Sequence, residues 1–531
     1  MLSLRCTALT PSVSQELSQG AARLMAIGLA LVTTMLVGTA EELLTAQQAE
    51  RLDLVQHWRK QIAVSVDAQM IVDQRLFVDS TQPKTYVEVV TVPAAKGDGA
   101  ADADKSAQPT VLARISADMP SRSGQPIGLK EAERQAKQEV RIFKRRGIEA
   151  ETRVREVAQV RLYSLSSDGV LECRDAEDGR YLWVSRIGDR RLGYHQLGVN
   201  EHYVSVTNGS NLRILDAATG EEIRKQRTGP DPLLGSLVDD RFAMVPIGGG
   251  SMDVYVLDDP LAFPMKLGYT GDATALPTKA SGSSRLAWGT DRSFVYVAEV
   301  EGQPSVTFRL GVDGVVRGDV VAGGGEQYFF ATDTGQVYGL DASQFGRVIW
   351  SRPLGEPVMD SVHVAGDRVL VLSTYGNLVA MLTENGSAAW PESVRGIKRM
   401  LGVVGQNVFA QSVTGNLLVI DLESGSRVAS IANISSETRL INRVTDRLYL
   451  VDHRGVVQCL RPEYGDLPEF VNPTVVAKQE AAEEQTDSPE SKPAGDLPFE
   501  TETPFGDDPF GAGEGMADDP FGSGGDDPFD F

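Results

Sequence analysis

The chain has 531 residues, of which 41% are hydrophobic and 23% charged, ordinary values for a globular protein. Acidic residues number 73 against 51 basic ones, for a net charge of −22. That balance argues against a general nucleic-acid binder, which needs Lys and Arg to displace counterions from phosphates, and the composition disfavours collagen, coiled coil and multi-span membrane protein.

Leu24 to Ala40 is an uncharged run of 17 residues, strongest over the 14 from Leu24 to Val37. A spanning helix needs ~20 apolar residues and a signal-peptide core ~7–15. Gly38-Thr39-Ala40 offers the small residues of a cleavage site, and Glu41 and Glu42 follow. Residues 1–40 therefore read as a secretory signal, with an uncleaved N-terminal anchor as the alternative. Cys6 lies upstream of the run and cannot be a lipoprotein cysteine. Export places the protein in the periplasm or on the cell envelope, anchored by residues 24–40 if the signal is retained, with peripheral membrane association as a further option.

Residues 41–149 form an N-terminal region. Trp58 is followed four residues later by Ile62, the spacing seen again at Trp183 and Ile187, Trp350 and Leu354, and Trp390 and Val394. The segment His57–Ile62 therefore reads as an outer strand; the alternative is an amphipathic helix carrying Leu44, Leu52 and Val55. Arg75–Val92 is strand-like, and residues 93–110 are Ala-, Gly- and Asp-rich and read as a flexible loop. Over residues 129–146, Leu129, Ala132, Ala136, Val140 and Phe143 recur at helical spacing, which places them on one face. The same stretch holds 7 Lys/Arg and 3 Glu. Two readings are open: a solvated helix docking a narrow apolar stripe, or a patch for anionic lipid or the acidic tail.

From residue 150 to 462 short β-branched and aromatic runs recur, each broken by a glycine turn. The turn glycines are Gly169, Gly209, Gly250, Gly302, Gly335, Gly376, Gly415 and Gly455, separated by 40, 41, 52, 33, 41, 39 and 40 residues. A ~40-residue all-β unit is a blade, and repeated blades close into a propeller. Eight units predict eight blades, with Val64–Val92 either an additional degenerate blade or part of the first. A second motif follows: Asp175 to Gly179, Asp216 to Gly220, Asp421 to Gly425, and a version one residue longer from Asp341 to Gly346. Asp suits the first turn position and Gly its positive-φ end. Trp appears four residues after Gly179, Gly346 and Gly386, while Arg224 and Ala429 hold that position elsewhere.

These turns and tryptophans resemble the PQQ-like, or quinoprotein, propeller repeat, over residues 57–62 and 150–462. The resemblance implies an all-β propeller in which Trp58, Trp183, Trp350 and Trp390 dock between blades, and in which His57–Ile62 supplies the outer strand missing from the last unit and removes its open edge. Within the family, the dehydrogenases hold a quinone and a calcium ion on the axis and often carry a vicinal disulfide; no acidic set here matches theirs. The chain is more similar to the non-catalytic cell-envelope propellers, such as the outer-membrane assembly lipoprotein. The expectation is a non-enzymatic, cofactor-free scaffold that binds envelope proteins and no nucleic acid. Alternatives are a PQQ/calcium-dependent dehydrogenase-like enzyme and a tail-driven structural or coat-like assembly protein.

The three cysteines include no Cys-x-x-Cys pair, and the five histidines no i, i+4 pair, so structural zinc lacks support. Cys173 and Cys459 each lie four residues after a turn glycine, where other units place Gly339, Ala380 and Val419. The slot takes small residues; a disulfide across the closure is the alternative. Residues 463–531 read as a disordered tail, and Lys478 to Phe531 alone carry 16 acidic residues and 2 Lys. Phe499, Phe505, Phe510, Phe521 and Phe529 each follow a proline. They read either as weak, repeated partner-binding anchors or as parts of a solubilising tail.

Overall fold

A computed structural model describes residues 43–62, 70–92, 110–122, 124–434, 436–437 and 440–470. The apolar run at 24–40, most of the loop at 93–110 and the five tail phenylalanines lie outside the described residues.

A short helix α1 (Ala46–Glu50) is capped by Thr45, whose hydroxyl accepts from the Gln48 N–H. It leads into β1 (Leu54–Gln61), then β2 (Ile71–Thr91), β3 (Val111–Ser116), helix α2 (Leu129–Arg145), β4 (Ala150–Ser166), β5 (Val170–Asp175) and β6 (Tyr181–Arg186). The rest of the described chain is β structure. The strands are rich in Val, Ile, Tyr and Phe, which pack well on a pleated, half-buried surface, and their middle residues are almost all buried.

The described residues form eight antiparallel sheets that follow one another along the chain. Sheet 1 has the order β3-β2-β4-β5-β6; sheets 2 to 7 are four-stranded and span residues 198–227, 237–268, 278–311, 321–353, 363–395 and 397–431. Sheet 8 contains Leu448–Val451, Val456–Pro462 and, as its outermost strand, β1. Trp58 pairs with Cys459 and Leu54 with Pro462, so the N-terminal strand completes the last sheet. A helix over this segment is ruled out.

Lettering the strands a to d from the axis outward, antiparallel order places the a–b and c–d connections on one face of the propeller and the b–c and d–a connections on the other. Seven of the eight turn glycines belong to b–c connections, and the Asp–Gly turns to c–d connections; Gly302 instead lies in the c–d connection of sheet 4, whose b–c turn is made at residues 290–293 with Ser293 at φ +59°, which is why the spacings on either side of Gly302 are 52 and 33.

Two boundaries move relative to the sequence reading. Sheet 1 begins at Ile71, before the insert, because β2 pairs with β4 from Ile71↔Ser166 to Thr91↔Ala150. Of Val64–Val92, the strand Ile71–Thr91 therefore belongs to the first blade, residues 64–69 lying outside the described residues, and the insert lies within that blade's a–b connection. Residues 463–470, grouped with the tail by composition, belong to the propeller. The Asp446 N–H donates to Glu469 O (3.1 Å), the Glu469 N–H donates to Asp446 Oδ1 (2.9 Å), and Phe470 packs against the cluster around Trp58.

The distal halves of β2 and β4, with β3 and α2, form an arm on the a–b/c–d face. Val87 and Val89 point to one side of β2 and pack under Ala132 and Ala136 of α2, all four fully buried. Alternate residues point the other way. Lys84 pairs with Asp175, and Glu88 accepts from Arg114 Nε (2.7 Å), whose Nη1 lies 3.8 Å from Asp466. The arm's sheet therefore lies between the propeller and α2.

Candidate functional site

The contacts between sheets repeat one pattern. Trp58 Nε1 of sheet 8 donates to Ala176 O of sheet 1 (2.7 Å), Trp183 to Ala217 O (3.0 Å), Trp350 to Thr383 O (2.7 Å) and Trp390 to Leu422 O (2.9 Å). Each acceptor lies in the c–d turn of the next sheet. The turn glycine lies flat on the indole: a Cβ at Gly179 would meet Trp58 at 2.7 Å, at Gly220 Trp183 at 2.3 Å, at Gly386 Trp350 at 2.4 Å and at Gly425 Trp390 at 2.6 Å. Where Trp is missing, Arg224 Nη1 donates to Val256 O (2.7 Å), and the Phe308 ring covers Gly346. The Arg224 position was visible in the sequence as a gap in the Trp series, whereas Phe308 lies in a segment with no Asp–Gly signal.

Cys173 pairs with Trp183, Cys459 with Trp58 and Gly339 with Trp350. The slot is small because an indole lies across it. Both cysteines are free and fully buried. Burial pushes the Cys173 thiol up to about 12, so it is an inert small hydrophobe.

At the ring closure, charges gather from three places. Arg447 Nη2 lies 3.1 Å from Glu177 Oε2, and its Nη1 lies 3.0 Å from Asp446. His57 Nε2 is 3.7 Å from the same Glu177. Burial, with Arg447, Arg461 and Lys84 nearby, lowers the His57 pKa to about 4.

A cavity of about 790 Å³ lies on the axis and opens on the b–c/d–a face. Two of the three carboxylates in its wall, those of Asp73 and Asp319, are engaged, and the third is Asp360. Asp73 accepts from Arg75 Nε (3.0 Å) and from the Leu197 N–H (2.8 Å). Asp319 accepts from Ser361 Oγ (3.1 Å) and faces Arg443 at 3.9 Å. His363 is 3% exposed, and its Nδ1 has no hydrogen-bond partner among the described residues. Burial, then Arg443, lowers its pKa to about 3, far below the neutral range in which a general base is effective. The cavity is thus polar, with Asp73 and Asp319 held by arginines.

A quinone held with calcium needs convergent, uncommitted carboxylates. No group of three His, Cys, Asp or Glu side chains suited to a metal occurs among the described residues, and Asp73 and Asp319 are spent on cations. The donor set does not fit that group.

Residues 288–402, from sheet 4 to the start of sheet 7, match the family model described as outer membrane protein assembly factor BamB. That stretch is similar in sequence to the PQQ-like repeat of the family. BamB from Moraxella catarrhalis has a solved structure similar to this chain, with a TM-score of 0.46 and 17% identity over 57% of this chain and 92% of that one. The computationally designed Ika8 protein has a TM-score of 0.46 and 12% identity over 56% and 92%. No curated protein matches the chain in sequence.

On the b–c/d–a face, around the BamB-like sheets, Met359, Tyr375 and Val413 are 49%, 71% and 66% exposed. Met359 lies in the connection from sheet 5 to sheet 6, and Tyr375 and Val413 lie in the b–c connections of sheets 6 and 7. They were not legible in the sequence, because an exposed loop hydrophobic and a core hydrophobic look alike without the fold.

Proposed function

We propose that this chain is a non-enzymatic protein-binding scaffold of the cell envelope, exported, with partners on its propeller loops and weak multivalent contacts from Phe499, Phe505, Phe510, Phe521 and Phe529. The observation that carries the reading is the match of residues 288–402 to the BamB family. The exposure of Met359 and Tyr375 within that stretch, and of Val413 just after it, on one face of the ring supports it, since exposed aromatic and aliphatic side chains on a rigid rim suit a partner surface. The tryptophans Trp58, Trp183, Trp350 and Trp390 serve this function by fixing the blades, so that loops from different sheets keep one geometry.

Titration of the purified chain with PQQ and calcium, with dye-linked alcohol oxidation as readout, tests the non-enzymatic part. The reading expects no saturable binding and no turnover; tight binding with oxidation would replace it with a quinoprotein dehydrogenase. Cell fractionation tests the location: a chain found in the cytoplasm with Met1 retained contradicts export.

A further inference from the structure

We propose that the a–b/c–d face, which carries the arm, docks on an anionic phospholipid bilayer. On α2, Lys130, Arg134, Lys137, Arg141 and Lys144 recur at intervals of 4, 3, 4 and 3 residues, and all five are exposed. That spacing keeps them in one stripe roughly 21 Å long, at 1.5 Å of rise per residue. Arg134 and Lys137 have partners in Glu131 and Glu133. Lys130, Arg141 and Lys144 make no ion pair among the described residues. The opposite side of α2 is buried on Val87 and Val89, with the arm's sheet between it and the propeller, so the stripe points away from the body.

A second, independent observation lies on the same face. Leu261, Phe263, Phe345 and Tyr464 are 89%, 93%, 89% and 93% exposed, the highest values among the described large hydrophobics. They lie in the c–d connections of sheets 3 and 5 and just beyond the c strand of sheet 8. Tips spread around a ring cannot converge on one pocket of a partner protein, but one plane can touch them all. Aromatic and leucine tips on the same face as a basic stripe suit the headgroup region of an anionic membrane. No described helix is long and apolar enough to cross a bilayer, so the contact is one of lying on the surface. The chain's net charge of −22 opposes this only weakly, since charges beyond a Debye length of about 8 Å are screened.

The test is co-sedimentation of the full chain with phosphatidylcholine vesicles, with and without phosphatidylglycerol. Two variants are compared with the parent: Lys130→Gln/Arg141→Gln/Lys144→Gln, and Phe263→Ser/Phe345→Ser/Tyr464→Ser. All six positions are exposed, and circular dichroism monitors folding. The expected result is preferential partition into anionic vesicles that falls with salt. The Gln variant should lose it by on the order of 100-fold, about fivefold per basic residue, and the Ser variant should weaken binding to both vesicle types. Equal partition of the parent into both vesicles, driven by residues 24–40, would overturn the proposal. So would an unchanged Gln variant, or a stripe that binds RNA or an acidic protein with no vesicle preference.

Discussion

Gly386 and Gly147 both have positive φ, +67° and +80°, but a Cβ at Gly386 would meet the Trp350 ring at 2.4 Å while one at Gly147 would meet nothing within 4 Å. Gly147→Ala should therefore cost only the backbone strain, about 1 kcal/mol. Gly386→Ala adds a clash with a packed indole and should cost a further ~1–3 kcal/mol in urea unfolding. Trp390→Ala, at 3% exposure, should cost about 3–5 kcal/mol, and Trp390→Phe less, because it keeps most of the apolar contact. The Trp–Gly relation was legible as spacing, since Gly and Trp have few substitutes in such a contact. The Arg224 and Phe308 versions were not, because hydrogen-bonding reach and ring area can be supplied by other side chains. His57 and His363 titrate below the usual histidine value because burial penalises their charged forms. A folded-state pKa below the unfolded one contributes stability that is present above about pH 6.5 and lost as pH falls towards 4 for His57 and 3 for His363. Glu177, raised by burial, acts in the opposite sense from its ordinary value of 4.5 upward. Denaturant midpoints between pH 7 and 4 should fall, and His363→Gln should flatten that fall; a parallel slope in the variant would contradict the assignment.

The arm shows which elements a sequence discloses. α2 was legible because five apolar positions fall on one helical face, and its buried contacts are Ala132 and Ala136 of that set. β2 was not legible as one strand running from a blade into an insert. Its middle contains Ser80-Thr81-Gln82-Pro83, a turn-like word, and the ladder to β4 skips from Asp79 to Lys84 there. Proline is tolerated in a sheet at such a break, where no ladder donor is needed. Without a glycine turn in β2, the repeat pattern started one strand late. Ala136→Leu should overpack the space above Val87 and Val89 and destabilise the arm by ~1–3 kcal/mol. Hydrogen exchange should then show faster exchange in the distal parts of β2 and β4, with sheets 2 to 7 unchanged. A uniform loss of protection would mean that the arm and propeller unfold as one unit.

At the scale of the whole molecule, the last sheet takes its outer strand from the beginning of the chain, and Trp58 carries the inter-sheet contact from sheet 8 to sheet 1. The Trp58–Ile62 spacing pointed to this strand, whereas the ion pairs of Arg447 with Glu177 and Asp446 that accompany it come from residues far apart in sequence and had no local signature. Removing residues 43–61 should expose the edge of Val456–Pro462 and yield protein that aggregates on refolding, as scattering would show. The ring is proposed to bind protein partners through its b–c/d–a loops. Capture from envelope extract tests it most directly, comparing the full chain with Met359→Ser/Tyr375→Ser/Val413→Ser and with the variant in which Phe499, Phe505, Phe510, Phe521 and Phe529 become Ser. The expected result is a discrete set of partners recovered by the parent, lost with the loop variant and recovered in reduced yield with the tail variant, since linked weak anchors add avidity. Recovery of the same proteins in the same yield by all three, or of nothing specific by any, would contradict it.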